Sequence, residues 1–205
     1  MIISTPFIVL DKRPYRENAL MLRGISPDYG KVSFILHGGQ SFSKTAPQAD
    51  IFRELEIEFE DDCSGRELFN VKQLETLTDF SGIADNSRNY RMAGKIGAFL
   101  LNNMPPGDIQ PYSYEALKAV LSNLAGLDSG HEPWSLVQCS VVLKSAFLYE
   151  NGMLPEAASP EQNIFLENLV ASGVDNSPLP DCPEKYWDKL NLWLNDLISY
   201  HQLKK

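Results

Sequence analysis

Three short apolar runs lie close together within residues 7–36 and constrain the fold more than any other part of the chain. The runs are Phe7–Leu10, Ala19–Leu22 and Val32–Leu36. Each is bounded by residues that favour turns, and runs of this length between turns are typical of β-strands. The pattern therefore predicts an antiparallel meander with short connections. Its strands are expected at Ser4–Leu10, Ala19–Gly24 and Lys31–His37.

The first connection, Asp11–Asn18, combines cations with an aromatic ring. Its basic residues are Lys12, Arg13 and Arg16. They accompany Tyr15, and we expect a bend at Pro14 because proline fixes φ and has no backbone N–H. Cations beside an aromatic ring are suited to contacting phosphates and stacking a base. A solvated hairpin loop without a ligand accounts for the same residues equally well.

Two further strands are expected after these three. Residues 54–60 alternate between Glu and apolar side chains, which predicts a strand with one buried and one acidic face. We expect the acidic face to lie in solvent, and docking of a basic partner is the rarer alternative. The fifth strand is expected at Glu67–Leu77, with Leu68, Val71 and Leu74 in the core. Five strands within about 75 residues are typical of a small OB-fold barrel.

The sequence pattern changes after Phe80. A polar segment, Ser81–Asn86, separates the strands from a series of helical patterns, and such segments are common at domain boundaries. The expected helices cover Arg88–Met104, Ser113–Gly126, Pro133–Gly152, Ser159–Gly173 and the segment after Pro183. We therefore predict an α+β chain, in which an N-terminal five-stranded OB-type β-barrel (residues 1–80) is followed by an all-helical domain (residues 81–205).

The net charge of the chain is unfavourable for a protein that coats DNA. Eighteen basic residues and 27 acidic ones give a formal charge of −9, whereas nucleic-acid-binding domains are usually basic. The distribution is uneven, however. Between Lys12 and Arg53, seven basic residues accompany three acidic ones. Any nucleic-acid site is therefore expected in that segment.

No motif in the chain predicts catalysis. Gly24–Lys31 resembles a phosphate-binding loop, but its glycines are separated by one residue too many, and Val32 stands where Ser or Thr would bind magnesium. The three histidines are far apart and lack the spacing of a metal site. No Ser or Cys has the sequence context of a catalytic nucleophile. We expect a protein that is not an enzyme and uses no cofactor.

The cysteines and the first residues indicate the compartment. Cys63, Cys139 and Cys182 are too widely spaced for a disulfide framework or a zinc knuckle. The first residues lack the cationic region of a signal peptide, and Asp11 interrupts their apolar run. No run approaches the ~18 apolar residues of a membrane span. We expect a cytoplasmic protein with no membrane contact and no bound metal.

Residues 8–22 read IVLDKRPYRENALML, and residues 30–39 read GKVSFILHGG. These two N-terminal segments resemble the OB domain of the RecO family of bacterial DNA repair and recombination mediators. The residues that match the family pattern are Tyr15, Arg16, Glu17, Asn18, Gly30, Lys31 and Gly38. More weakly, Ala146–Glu156 is similar to a family turn of the L-G-x-x-P type, and Ile198–Lys205 is similar to the family's closing helix.

The resemblance implies a mediator that binds single-stranded DNA and assists strand annealing and recombinase loading. Its implied protein partners are the single-stranded-DNA-binding protein and RecR. The residues implied to contact DNA are Lys12, Arg13, Arg16, Arg23, Lys31 and Lys44 at phosphates, with Tyr15 or Phe42 stacking on a base. In the family, the loop after the third strand is usually rich in Lys and Arg. In this chain the corresponding loop, Gly38–Lys44, contains Lys44 as its only basic residue. Binding is therefore expected to be weak.

A second departure concerns zinc. Some family members have a four-cysteine zinc site after the L-G-x-x-P-like turn, but residues 157–183 contain only Cys182. The zinc site is therefore expected to be absent.

The alternative to a DNA-binding mediator is an adaptor that kept the fold and lost its affinity for DNA. The net charge of the chain and the small number of cations in the loop Gly38–Lys44 favour this alternative. An apolar helix-lined groove for a peptide tail is compatible with both functions.

Overall fold

The computed structural model describes residues 1–38, 49–61, 68–127, 130, 132–157 and 159–204. In this part of the chain, five strands precede five α-helices. The strands are β1 (Ile2–Tyr15), β2 (Ala19–Ser26), β3 (Gly30–His37), β4 (Arg53–Glu60) and β5 (Leu68–Asp79). After a 3-10 turn (Ser81–Asp85), the helices are α1 (Ser87–Asn103), α2 (Pro111–Ala125), α3 (Leu136–Glu150), α4 (Pro160–Val174) and α5 (Glu184–Tyr200). The predicted α+β class is confirmed.

The strands close into a barrel in the order β1-β2-β3-β5-β4, with β4 pairing again with β1. Short turns connect β1 to β2 and β2 to β3, and such turns require antiparallel pairing. β3 and β5 pair in parallel through Ser33–Ile35 and Leu68–Asn70. The remaining neighbours are antiparallel. This five-stranded closed sheet confirms the predicted OB-type barrel.

Aromatic rings fill the interior of the barrel. The rings of Phe7 and Phe34 have centroids 4.9 Å apart, and those of Phe34 and Phe59 are 5.0 Å apart, both edge to face. Phe59 lies 4.8 Å from Phe69. Each such pair contributes about 0.5–1.5 kcal/mol beyond the burial of its area. The four rings therefore connect β1, β3, β4 and β5 inside the barrel.

The last two strands bury side chains that differ in part from the predicted ones. In β5, Leu74 is buried as expected, but Phe69 takes the core position expected for Leu68, which is exposed. In β4, the prediction of a fully solvent-exposed acidic face is wrong at Glu54, whose exposed fraction is 2%. Its carboxylate accepts a hydrogen bond of 2.6 Å from the Thr78 hydroxyl of β5. This neighbouring donor compensates for part of the cost of burying the carboxylate.

β1 is longer than the predicted strand, which ended at Leu10. The register between β1 and β2 shifts between Val9 and Asp11, which marks a bulge, and the pairing then continues to Tyr15. Pro14 is tolerated because β1 pairs with β4 only up to Ile8, so its missing N–H faces an edge. The predicted loop at residues 11–18 is therefore mostly strand. A short turn with Arg16 at φ 52° connects it to β2.

The segment after α1 packs against the start of β3. Gly30 has φ +59°, and a Cβ placed on it would lie 1.9 Å from the backbone oxygen of Asp108. The N–H of Gly107 donates to the Lys31 oxygen at 3.3 Å. Residues 100–111 accordingly form one compact unit with residues 1–81, and residues 82–99 and 112–205 form the other. The domain boundary between residues 80 and 81 stays a prediction. That boundary would place residues 100–111 in the helical domain.

Three of the helices, α1, α3 and α4, begin at polar caps. The Asn86 side chain accepts from the Arg88 N–H at the start of α1, and Ser135 forms a reciprocal capping box at α3. The Ser159 hydroxyl accepts from the Gln162 N–H at α4. α2 begins two residues before Ser113, whose N–H donates to the Glu150 carboxylate of α3. None of the described helices is both long enough and apolar enough to cross a membrane.

α3 is the central helix of its unit. It packs against α4 and α5, and nine of its 15 residues are buried, which explains why its sequence is apolar on nearly all sides. Gly173 was expected to end α4, but the helix continues to Val174. A Cβ at Gly173 would lie 2.8 Å from Val142 Cγ1 and 3.0 Å from Ala116 Cβ. The glycine therefore lets α4 approach α2 and α3.

Three glycine-to-alanine variants test these close approaches. A Cβ at Gly24 would lie 1.9 Å from the Ile8 oxygen, whereas a Cβ at Gly94 meets nothing within 4 Å. We expect Gly24→Ala and Gly30→Ala to lower the free energy of unfolding by about 2 kcal/mol or more. Gly94→Ala, the matched control, should raise it by about 0.5–1 kcal/mol. Urea unfolding measures all three, and an unchanged stability for Gly30→Ala would contradict the packing of residues 105–108 on β3.

Candidate nucleic-acid interface

The outer face of β1, β2 and β3 brings several predicted site residues together. Beyond the bulge, Asp11, Arg13 and Tyr15 alternate onto the same side of β1. The strand register places Asp11 opposite Arg23, and Arg23 opposite Ser33. Lys31 lies two residues from Ser33 and therefore shares this side. We call the surface formed by Asp11, Arg13, Tyr15, Arg23 and Lys31 the basic face.

Asp11 is the central charge of the basic face. Its Oδ2 atom lies 2.8 Å from Arg13 Nε and 3.3 Å from Arg23 Nη1. The three groups together have a net charge of only one positive unit. The Arg13 side chain is 64% exposed and that of Arg23 is 34% exposed. Both guanidinium groups therefore reach solvent, but a carboxylate reduces their attraction for phosphates. Sequence reasoning missed Asp11, although its spacing of two residues from Arg13 was a visible signal.

Arg16 and Tyr15 form a second cationic element at the end of the hairpin. The Arg16 guanidinium carbon lies 5.2 Å from the centroid of the Tyr15 ring, over its face. Such a cation–π contact is worth about 0.5–1 kcal/mol at an exposed site. A base that stacks on this face of the ring has to displace Arg16 or stack on the guanidinium plane instead.

Two of the predicted contact residues have other partners. Lys12 lies opposite Leu22, on the side of β1 away from the basic face, and its Nζ is 2.6 Å from Asp50 Oδ1. The Nζ of Lys31 donates to the backbone oxygen of Leu101 at 3.1 Å. Lys12 is therefore separated from the other cations, and Lys31 is bound at the edge of the basic face. The predicted residues Phe42 and Lys44 lie outside the described residues.

Ion pairs at the barrel shift the acidity of two carboxyl groups. Desolvation disfavours ionisation of Asp50, but the Lys12 hydrogen bond, the Ile51 N–H and the charges of Lys12 and Arg53 outweigh it and lower the pKa of Asp50. Asp79 behaves likewise, since desolvation is outweighed by the Ser81 N–H and by Arg53, and its pKa is lowered. Both carboxylates are therefore more strongly bound by their partners in the folded chain than in the unfolded one.

The opposite side of the barrel is acidic. Glu56 on β4 lies directly opposite Glu75 on β5, and Glu58 follows on the same side of β4. In residues 1–38 there are five basic and three acidic side chains, whereas residues 49–61 and 68–79 contain two basic and eight acidic ones. The barrel is thus electrically polar. A net charge for the whole chain conceals this separation.

The helical unit contains an apolar groove between α4 and α5. Its volume is about 580 Å³, and its walls include Phe165, Leu190 and Trp193. Cys182 lies at this groove, and Cys139 is buried, which raises the pKa of its thiol to about 12. Among the described residues, no group of three or more His, Cys, Asp or Glu side chains is placed to hold a metal ion. The absence of zinc stays a prediction.

Comparison with known families is consistent with the barrel. The family model described as Recombination protein O N terminal matches residues 1–80, which include all five strands. Residues 1–80 are thus similar to the N-terminal domain of recombination protein O. RecO proteins are mediators of DNA repair and recombination, and the basic face lies on the matched RecO domain. No curated protein matches the chain.

The ion pair of Lys12 with Asp50 predicts a pH dependence for the RecO domain. Because the pKa of Asp50 is lowered below its usual value of 3.8 in the folded state, its contribution to stability is present above that value and is lost as the pH falls through the folded pKa. Asp50→Asn should therefore be less stable than the wild type at pH 7, and the difference should disappear at low pH. Urea unfolding at both pH values measures this. The control is Glu17→Gln, and a difference that persists unchanged at low pH would rule out the ion pair as its cause.

Proposed function

We propose that this protein is a mediator of the RecO type that binds single-stranded DNA weakly through the basic face and the hairpin that ends at Arg16. The observation that supports this most directly is the electrical polarity of the barrel, which leaves one side positive in spite of the charge of −9. The proposed function depends on binding and not on covalent chemistry. The chain would hold a DNA strand while other proteins act on it.

The proposed contacts follow from the side chains of the basic face. Arg13 and Arg16 contact neighbouring phosphates. Arg23, which is less exposed than Arg13, adds its positive charge to the same face. Tyr15, with Arg16 on one face of its ring, supplies the surface on which an unpaired base stacks. These contacts do not distinguish one base from another, so binding is tolerant of sequence and falls with salt.

The other predicted contacts are assigned smaller roles. Lys12 and Lys31 contribute charge from the edge of the site, because their ammonium groups are bound to Asp50 and to the Leu101 oxygen. Phe42 and Lys44 remain proposed contacts of the loop that follows β3. The single-stranded-DNA-binding protein and RecR are the proposed protein partners, which the match of residues 1–80 to the RecO N-terminal domain supports. With them the chain would assist annealing and recombinase loading.

An adaptor without DNA affinity is the second candidate function. It is favoured by the ion pairs of the barrel, in which Lys12, Arg13, Arg23 and Arg53 each have a carboxylate partner. A cation that already has a carboxylate partner releases fewer counterions when DNA binds. The two candidates therefore differ in one measurable property, the affinity of the folded chain for single-stranded DNA.

Removal of one carboxylate tests the basic face. Asp11→Asn frees Arg13 and Arg23, so we expect it to tighten binding of a labelled single-stranded oligonucleotide and to steepen the slope of log K against log salt by about 0.7. Glu58→Gln is the matched control, because it removes the same charge from the acidic side of the barrel. Fluorescence anisotropy across a salt series measures both. Stability should change little, because exposed ion pairs are worth about 0–1 kcal/mol.

The outcomes separate the two functions. Equal effects of Asp11→Asn and Glu58→Gln would mean that only net charge matters, and would remove the basic face as the site. An absence of wild-type binding at an ionic strength of about 10 mM, where the Debye length is ~30 Å, would favour the adaptor.

A further inference from the structure

α1 is the one helix of the described chain that has several cations and no acid. Its 17 residues include Arg88, Arg91 and Lys95 and contain neither Asp nor Glu, in a chain with a formal charge of −9. The three cations are separated by three and four residues. Residues at these spacings lie on one face of a helix. α1 therefore has a positively charged stripe along about two of its turns.

The stripe is open to solvent. Arg88, Arg91 and Lys95 are exposed, and the residues between and beyond them on this face, Gly94 and Ala98, are exposed as well. A Cβ built on Gly94 would meet nothing within 4 Å. Small side chains beside long cationic ones leave room for a ligand to approach the helix closely. We call this surface the α1 stripe.

The cations of the α1 stripe form no ion pair with the described residues. The structure records no carboxylate of the described chain within the 4.0 Å salt-bridge distance of any of them. Arg91 Nε makes a long contact of 3.4 Å to the Ser87 oxygen. This differs from the barrel, where Asp11 is bound to both Arg13 and Arg23.

Helix stability does not explain the position of these cations. Arg88 lies in the first turn of α1, where the positive end of the helix dipole disfavours a cation by about 0.3–1 kcal/mol. The like charges of Arg91 and Lys95, four residues apart, repel each other by a similar small amount. A row of cations that has no ion pair with the described residues and slightly destabilises its own helix points to an anionic ligand.

We infer that the α1 stripe binds the phosphate backbone of single-stranded DNA. The inference rests on the proposed function for the identity of the ligand, but it assigns a separate site in the helical unit. An acidic peptide is a less suitable ligand, because the stripe has no large apolar side chain between its cations on which a peptide helix could be anchored.

Removal of the three charges tests this site. In the variant Arg88→Gln/Arg91→Gln/Lys95→Gln, we expect the slope of log K against log salt to flatten by about 2, since each lost phosphate contact accounts for ~0.7. Affinity near 0.1 M salt should fall by roughly tenfold to a hundredfold. The matched control is Lys185→Gln/Lys189→Gln/Lys204→Gln, which gives the same net charge. Gln has nearly the helix propensity of Arg and Lys, so α1 should remain folded.

A second pair of variants leaves all three cations in place. Gly94→Glu introduces a carboxylate into the open centre of the stripe, next to Lys95 and three residues from Arg91. It should weaken binding several-fold, whereas Gly94→Gln, with a side chain of the same size, should not. Both replacements remove a helix glycine, so neither should unfold the chain.

The result that would overturn the inference is a triple variant that behaves like its lysine control, or equal binding by Gly94→Glu and Gly94→Gln. Loss of binding in the α1 variants with no response to Asp11→Asn would support the stripe and contradict the basic face. If binding responds to Asp11→Asn but not to the α1 variants, the basic face is supported and the α1 stripe is contradicted. Binding of a poly-glutamate peptide in place of DNA, lost in the triple variant, would show that the ligand is a protein and would also overturn the inference.

Discussion

β1 pairs with two different strands in succession, and the rest of the barrel depends on this double pairing. Residues up to Ile8 pair with β4, and residues from Ile8 onward pair with β2. The bulge between Val9 and Asp11 joins the two parts, and Gly24 permits it because the Ile8 oxygen occupies the space of a side chain there. The same bulge turns Arg13 outward. Closure of the barrel and the position of its candidate DNA contacts therefore have one cause.

The balance of charge is decided locally in this protein. On the barrel, Asp11 reduces the effective charge of two arginines, and the acids of β4 and β5 lie on the other side. On α1, three cations form no ion pair within 4.0 Å with a carboxylate of the described chain. A chain with a charge of −9 can thus present two positive surfaces. The attraction of each surface for phosphates depends on the carboxylates that pair with its cations and not on the net charge of the chain.

The sequence predicted the elements well where apolar periodicity marked them, as in β2, β3 and α1. It failed where tertiary pairing overrides local pattern. The polar end of β1 is a strand only because β2 supplies the hydrogen bonds. The burial of Glu54 is tolerated because the Thr78 hydroxyl of the neighbouring strand donates to its carboxylate. The pairing of Lys12 with Asp50 joins residues 38 positions apart, which no local pattern indicates. The acid-free sequence of α1 was visible, but the net charge of the whole chain, −9, concealed it.

The most direct test of the central claim is to map where single-stranded DNA contacts the folded chain. Two-dimensional 1H–15N spectra of the full chain would be recorded while a short unlabelled oligonucleotide is added at low salt. The account predicts that signals of the β1–β2 hairpin around Arg13 and of α1 around Arg91 shift, and that those of β4 around Glu58 do not. Shifts confined to β4 and β5, or no shifts at all with a folded sample, would contradict it.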